Sequence, residues 1–474
     1  MKTFVSFILL VLFAGCKGTP TPGEKEARSQ VQAVAGSYRP EGQKPALPVL
    51  TSQSSLSNFL TYALLNQPQV EAAYFDWLAS VERITVARSL PDPQLTFQMD
   101  IEDVVTSLMP GLMMSFPGAG KLRAAGALAA AESQAQYFAF RTACLQSAYA
   151  VEGAYYQLYF LNEKLRVNRE TLGLLADLAK LARAQNEVGK VTLQDVLRAQ
   201  IQQDRVETEI ANLEDSRAAL LAQFKAALGL GADQPAPPVP ERFESAPLDL
   251  TADKLFEQAL AQNTRLKGME ADVRAAEAAI TQAYKARMPD VSVGLMADVK
   301  MNPTVYRPWG TVSVPLWRDK LAAEVAQAQA NKRAGEARLS AEQIALAVAV
   351  AEKAFLYREA SRNLELLQNQ LLPKQRQSLE LARSGYLAGQ IDFLNLTDTE
   401  QTLLRFGLDE VEARAQRELS RTELALIVQG MPPSGAGVGA IVTPGTAPTE
   451  AMGGGGGGML PGGSASTKKT KGGM

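Results

Sequence analysis

Two hydrophobic periods run through the chain, and they fall in different places. Leu158, Leu161, Leu165, Asn168, Leu172, Leu175, Ala179 and Ala182 recur at alternating steps of three and four, the seven-residue rhythm of a helix that packs along one seam against another helix. Leu364, Leu367, Leu371, Lys374, Ser378, Leu381 and Gly385 form a second such run, and Ile210, Leu213, Arg217, Leu220 and Phe224 supply an answering stripe. Elsewhere the period drops to two. Leu95, Phe97, Met99 and Ile101 alternate with polar residues, and Val291, Val293, Leu295, Ala297 and Val299 repeat this with Ser292, Asp298 and Lys300 opposite. Such alternation predicts strands with one oily and one wet face. Partner strands are expected around 112–116 and 310–316, with Pro110, Pro303, Arg307 and Trp309 in the loops between strands.

These elements come twice. Pro91-Asp92 and Ser115-Phe116-Pro117 return as Pro289-Asp290 and Ser313-Val314-Pro315, the prolines 198 positions later in both cases. Lys121-Leu122 is answered by Lys320-Leu321, and Gly189-Lys190-Val191 by Gly389-Gln390-Ile391. Punctuation that holds register in this way marks a duplicated unit. Each copy, 51–234 and 251–430, reads helix, two short strands, long helix, tight turn, returning helix. Between them the stretch 235–250 opens with Pro235-Ala236-Pro237-Pro238-Val239-Pro240, which cannot continue a helix. Residues 16–50 are polar and contain proline, as expected of a tether, and 431–474 reads as a glycine-rich disordered tail. From Lys121 to about Glu187 the long helix would measure on the order of 100 Å, too long to wrap a compact core.

The strands are near the roughly 9 to 11 residues that cross a bilayer when tilted. Four of them cannot close a barrel, and an open edge in hydrocarbon leaves backbone donors and acceptors unpaired at several kcal/mol each. If the sheet lies in a membrane, several protomers must pool their strands. A half-buried sheet on a soluble domain also alternates, and a coiled-coil spacer without a lumen explains the helical seams equally well.

Charge and composition narrow the field. Lys and Arg number 48 against 50 Asp and Glu, giving a net charge of −2 with no one-signed face, so nucleic acid is not an expected partner. Histidine is absent from the sequence, which excludes His-based catalytic triads and imidazole metal sites and leaves an enzyme as a remote reading without a cofactor. The two cysteines, Cys16 and Cys144, allow no disulfide framework. Cys144 reads as a packed small hydrophobe rather than a reactive thiol. Lys2 and the apolar run Phe4 to Ala14 read as an export signal over 1–15, too short to remain as a span. Phe13-Ala14-Gly15-Cys16 resembles the bacterial lipoprotein box, which implies a lipid on Cys16; an ordinary cleaved signal is the alternative. Lys17 is not the aspartate that favours inner-membrane retention in enteric bacteria, so the resemblance points to the outer membrane. Gly118-Ala119-Gly120-Lys121 suggests a phosphate loop, but Ser115 stands where its first glycine belongs and Leu122 replaces the Mg-binding hydroxyl residue.

The order of elements, the duplication and the lipid-anchored start resemble the TolC-like outer-membrane factor family over residues 51–430. The resemblance implies a mainly α fold with a small β part. Long antiparallel coiled-coil helices would form an α-barrel, and four strands per protomer would contribute to an oligomeric transmembrane β-barrel in a homotrimer. Ser115 to Arg123 looks like the strand-to-helix junction of lipoprotein members that pair with pumps of the resistance-nodulation-division type. Val188, Gly189, Lys190 and Val191, with Ala388, Gly389, Gln390 and Ile391, resemble the hairpin tips on which periplasmic adaptors dock, although a plain helix hairpin needs the glycines too. Asp398 matches an acidic residue of the family's periplasmic gate, or is a solvated surface carboxylate; Asn395 stands where another aspartate often occurs, which weakens a cation-filter reading. The implied function is an outer-membrane exit duct of a tripartite efflux or secretion system, receiving substrate from an inner-membrane pump and adaptor. The alternative is a structural coiled-coil envelope lipoprotein without a lumen.

Overall fold

A computed structural model of the chain describes residues 20–101, 105–189, 192–241, 243, 245 and 252–431. The export signal, Cys16, Lys190, Val191, most of 242–251 and all of the tail after Met431 lie outside the described residues.

The first copy comprises α2 (Leu56–Asn66), α3 (Pro68–Arg88), β1 (Gln94–Ile101), β2 (Val105–Phe116), α4 (Lys121–Glu187) and α5 (Leu193–Ala227). The second comprises α6 (Ala252–Gln262), α7 (Thr264–Lys285), β3 (Asp290–Asp298), β4 (Val305–Ser313), α8 (Arg318–Leu366), a π-helical turn (Leu367–Leu371), α9 (Leu372–Leu387) and α10 (Phe393–Gln429). α2 and α7 start where a side chain can take an orphan backbone donor: Ser55 Oγ accepts from the Asn58 N–H and Asn263 Oδ1 from the Leu266 N–H. α4 runs 67 residues without a proline, about 100 Å of helix.

Each copy closes on itself in the same way. Asn66 Nδ2 donates to the carbonyls of Leu228 and Gly229 at 2.9 and 3.0 Å, and Asn263 Nδ2 donates to the Ile427 carbonyl at 2.9 Å. The returning helices thus end against the start of their own repeat. Gly430, at φ 122°, is obligatory there, because a Cβ would lie 2.2 Å from Thr264 Oγ1.

Apolar packing is strung along the helices rather than gathered at one centre. Phe59, Tyr155, Tyr156, Leu158 and Phe224 bury together where α2, α4 and α5 meet, and Leu255, Leu266, Leu424 and Ile427 do so in the second copy. Leu178, Ala182, Val196 and Ala199 of the first hairpin meet Ala382, Tyr386, Phe393 and Leu396 of the second near the tips. The first seven-residue seam is buried as the spacing predicts at Leu158, Leu161, Leu165, Asn168, Leu175, Ala179 and Ala182, with Leu172 half-buried.

The second seam departs from its predicted register. Leu364 and Leu367 are buried, but beyond them the inward residues are Leu372, Leu379, Ala382 and Tyr386, while Lys374, Ser378 and Leu381 are exposed. Each buried position below Leu367 lies one residue later than the seven-residue rhythm placed it. The cause is the π-helical turn at 367–371, which takes up one extra residue. Pro373 follows directly, and a proline there removes a helical N–H and crowds the preceding turn, conditions under which helices widen or kink.

Residues 16–50 also hold more structure than the tether reading foresaw. α1 (Pro22–Tyr38) is capped by Thr21 and packs Ala27 and Tyr38 against Val70, Tyr74, Trp77, Val81 and Ile84 of α3, with Phe140 of α4 alongside. Its buried Glu24 receives hydrogen bonds from Arg88, Thr85 and Arg28. The Arg88 bond, then the others, outweigh burial and hold this carboxyl down at about 2. Cys144 lies in the same cluster, and burial pushes its thiol up to about 11, as suits a packed hydrophobe.

Candidate functional site

The four strands form one antiparallel sheet in the order β1-β2-β3-β4, so β1 and β4 are both open edges. The pairing itself is duplicated. Leu95 is opposite Leu112 and Phe97 opposite Pro110; 198 positions on, Val293 is opposite Gly310 and Leu295 opposite Pro308. Directly paired residues share a face, so Leu95, Leu112, Leu295 and Pro308 form one row, and Phe116, Val291 and Val312 another. This face is apolar and uncovered: Leu95 is 73% and Phe97 72% exposed.

The opposite face is polar and partly folded over itself. Asp298, 1% exposed, accepts from Ser107 Oγ at 2.9 Å and lies 3.9 Å from Arg307. The Ser115 and Ser292 hydroxyls bond across β2 and β3 at 3.0 Å. The Trp309 indole covers Gly294, where a Cβ would sit 2.6 Å from Nε1, and Met296 covers Gly111 likewise. Pro110, Arg307 and Trp309 were expected in loops, but all three lie inside β2 or β4. Proline usually marks the end of a strand, yet here β2 runs through Pro110 and β4 through Pro308.

The junction between strands and long helices is held by one carboxylate. Asp290, the first residue of β3, accepts from the Gly118 N–H at 2.7 Å and from Lys121 Nζ at 2.8 and 2.9 Å. The Gly-Ala-Gly-Lys segment that suggested a phosphate loop therefore cradles an anion of its own chain. Gly118 cannot be larger, since a Cβ would lie 2.5 Å from the Pro289 carbonyl.

At the far ends of the hairpins the chain reverses at Gly189 and Gly389, with φ of 73° and 74° and open space around each. The second turn carries the double hydrogen bond of a glycine-ended helix, from the Gly389 N–H to the Tyr386 carbonyl and from the Gln390 N–H to the Gly385 carbonyl, and Ile391 packs back over Gly385. After the first turn Thr192 and Asp195 form a reciprocal capping box. After the second, Asp392 alone caps the helix, accepting from the Asn395 N–H at 2.9 Å. That division of labour explains why position 395 needs no acid where position 195 keeps one. Asp398 and Asn395 are both exposed in the protomer, on α10, with Val188 and Ala388 exposed at the turns. Sequence spacing passed over Glu400, which is 3% exposed with Oε2 unpartnered. It continues the buried seam of Phe393, Leu396 and Thr397, the signal that could have found it.

Residues 60–230 and 255–428 match the family described as Outer membrane efflux protein, and the chain belongs to it. Among solved structures, the outer membrane protein VceC of Vibrio cholerae is 17% identical with a TM-score of 0.66, over 79% of this chain and 96% of that one. A membrane protein from Pseudomonas aeruginosa aligns at 18% identity and a TM-score of 0.69, over 83% and 97%. The MtrE outer membrane channel of Neisseria gonorrhoeae in its open state aligns at 13% identity and 0.67, over 82% and 94%. At such identities the likeness is one of fold. No curated protein sequence matches significantly. The class is that of outer-membrane efflux channels, which join a helical tube to a β part; they are not enzymes.

Proposed function

We propose that this chain is the protomer of a homotrimeric exit duct, anchored in the outer membrane by a lipid on Cys16, through which an inner-membrane pump of the resistance-nodulation-division type and its periplasmic adaptor discharge their substrate. The observation that carries this reading is the sheet with two open edges and a bare apolar face. Hydrocarbon accepts that face but not the edges, and copies of the same sheet are the partners that satisfy both.

The hairpin tips supply the other end. Leu193, Leu197 and Ile201 make an exposed apolar stripe beside Gly189, and Leu387 and Leu394 flank Gly389. Uncovered apolar residues at a glycine turn suit a helical adaptor that packs between them. Val188, Lys190 and Val191, with Ala388, Gln390 and Ile391, complete the docking tips. Asp398 faces the lumen where the hairpins converge, and separating the hairpins opens the duct. The protomer does no chemistry; the pump supplies the energy.

Purified oligomer in a planar bilayer should conduct ions in discrete steps. A coiled-coil spacer without a lumen would give a silent bilayer, and that result would sink the duct.

A further inference from the structure

We propose that the seam closing the barrel, β4 of one protomer against β1 of the next, copies the β2–β3 seam inside each protomer and is locked by an ion pair between Lys320 and the partner subunit's Asp92. The inference rests on the duct reading and adds to it a register and a contact.

The internal seam is the template. β2 leads into the junction that carries Lys121, and β3 begins with Asp290, so the two charges meet where the strands lie side by side. In the second copy β4 leads into Lys320, and in the first copy Asp92 precedes β1, 198 positions before Asp290. Within one chain these two cannot play the same part, because β1 and β4 are opposite edges of the sheet. Among the described residues both are left over: Asp92 is exposed, and Lys320, 71% exposed, has only Glu324 one turn on at 3.9 Å. A second copy brings the missing half to each edge.

The same shift fixes the strand register. Met113 opposite Gly294 becomes Thr311 opposite the partner subunit's Thr96, and Met114 opposite Val293 becomes Val312 opposite the partner subunit's Leu95. Thr311 and Thr96 are both on the wet face, Val312 and Leu95 both on the oily one. A slip of one residue would set oily against wet along the whole seam. A slip of two keeps the faces but carries Asp92 about 7 Å along the strand, away from Lys320. The second junction has one residue more between proline and lysine than the first, so Asp319 stands 198 positions after Lys121, and Lys320 is the third residue of α8 where Lys121 is the first of α4; to play the same part the four-carbon lysine stem reaches back about 3 Å along the helix.

Disulfide trapping in the full chain with Cys144→Ala tests the register. Thr96→Cys with Thr311→Cys should give a reducible ladder of covalent oligomers, whereas Gln98→Cys with Thr311→Cys, the register slipped by two, should give a much fainter one. Within one protomer the edges are three strand spacings apart, about 14 Å, too far for a disulfide. For the ion pair, Asp92→Lys and Lys320→Asp should each lower the temperature at which the oligomer dissociates in detergent, and the double exchange should restore it. A conducting oligomer that links mainly through Gln98→Cys, or a double exchange no better than the single ones, overturns the seam and leaves the duct intact. A chain that stays monomeric and non-conducting overturns both.

Discussion

Glu400 and Glu24 are equally hidden, yet the fold treats their charges in opposite ways. Glu24 has Arg88, Thr85 and Arg28 around it and keeps its charge well into acid. Glu400 has desolvation against it and only the attraction of Arg383 in its favour, so its carboxyl is raised to about 7. Below the ordinary carboxylate pKa of 4.5 Glu400 is neutral folded or unfolded. Between 4.5 and about 7 the unfolded chain ionises while the folded one retains its proton, so stability falls as pH rises, and above that window the loss is complete. The loss is on the order of 3 kcal/mol. The midpoint of thermal helix loss should therefore decline from pH 4.5 to 7 in the wild type and decline less in Glu400→Gln; parallel curves would remove this account of Glu400. A lone glutamate in a helix announces none of this, since residue type does not tell which carboxylate has found arginines.

At the scale of elements, sequence period tells most where the backbone is regular. The first long helix contains no proline, and its seam is buried as the leucine spacing predicts except at half-buried Leu172. The second seam is legible only to Leu367, because the π-turn beside Pro373 advances it by one residue. Two deletions separate this explanation from chance. Removing Gln370, exposed within the π-turn, lets the helix return to its ordinary pitch with Leu372, Leu379, Ala382 and Tyr386 still inward, so helix content and oligomer should survive. Removing Gln377, equally exposed but below the turn, swings Leu379, Ala382 and Tyr386 off the seam by about 100°, at about 2 kcal/mol or more for each large side chain lost. Its oligomer should fail to form; equal tolerance of both deletions would disprove the register shift. The strands show the same limit, since β1 was legible to its ends whereas β2 and β4 run on through Pro110 and Pro308. α1 was missed because its hold depends on Glu24 and Tyr38 meeting α3, a tertiary event that polar composition conceals.

For the whole molecule the duplicated plan matters more than any one element. The proposed adaptor docking can be probed at Gly389, where a larger side chain meets no neighbour but must accept a φ of 74°. Gly389→Leu, large but not β-branched, costs about 1–2 kcal/mol of backbone strain, little enough for the protomer to fold and assemble. Cells carrying it should lose tolerance of drugs or metals while the oligomer remains in the outer membrane; undiminished tolerance would rule the tip out as a docking point. α1 has its own bearing on the assembly. Five residues lie between Cys16 and Pro22, which leaves no more than about 20 Å of fully stretched chain from one to the other. Arg88, which grips Glu24, is also the last residue of the helix that feeds β1. An acyl group on Cys16 would thus ride on a short leash fastened close to where the barrel wall begins, and it would serve as a depth gauge: a sheet seated too high or too low would have to drag its own fatty chain out of the leaflet.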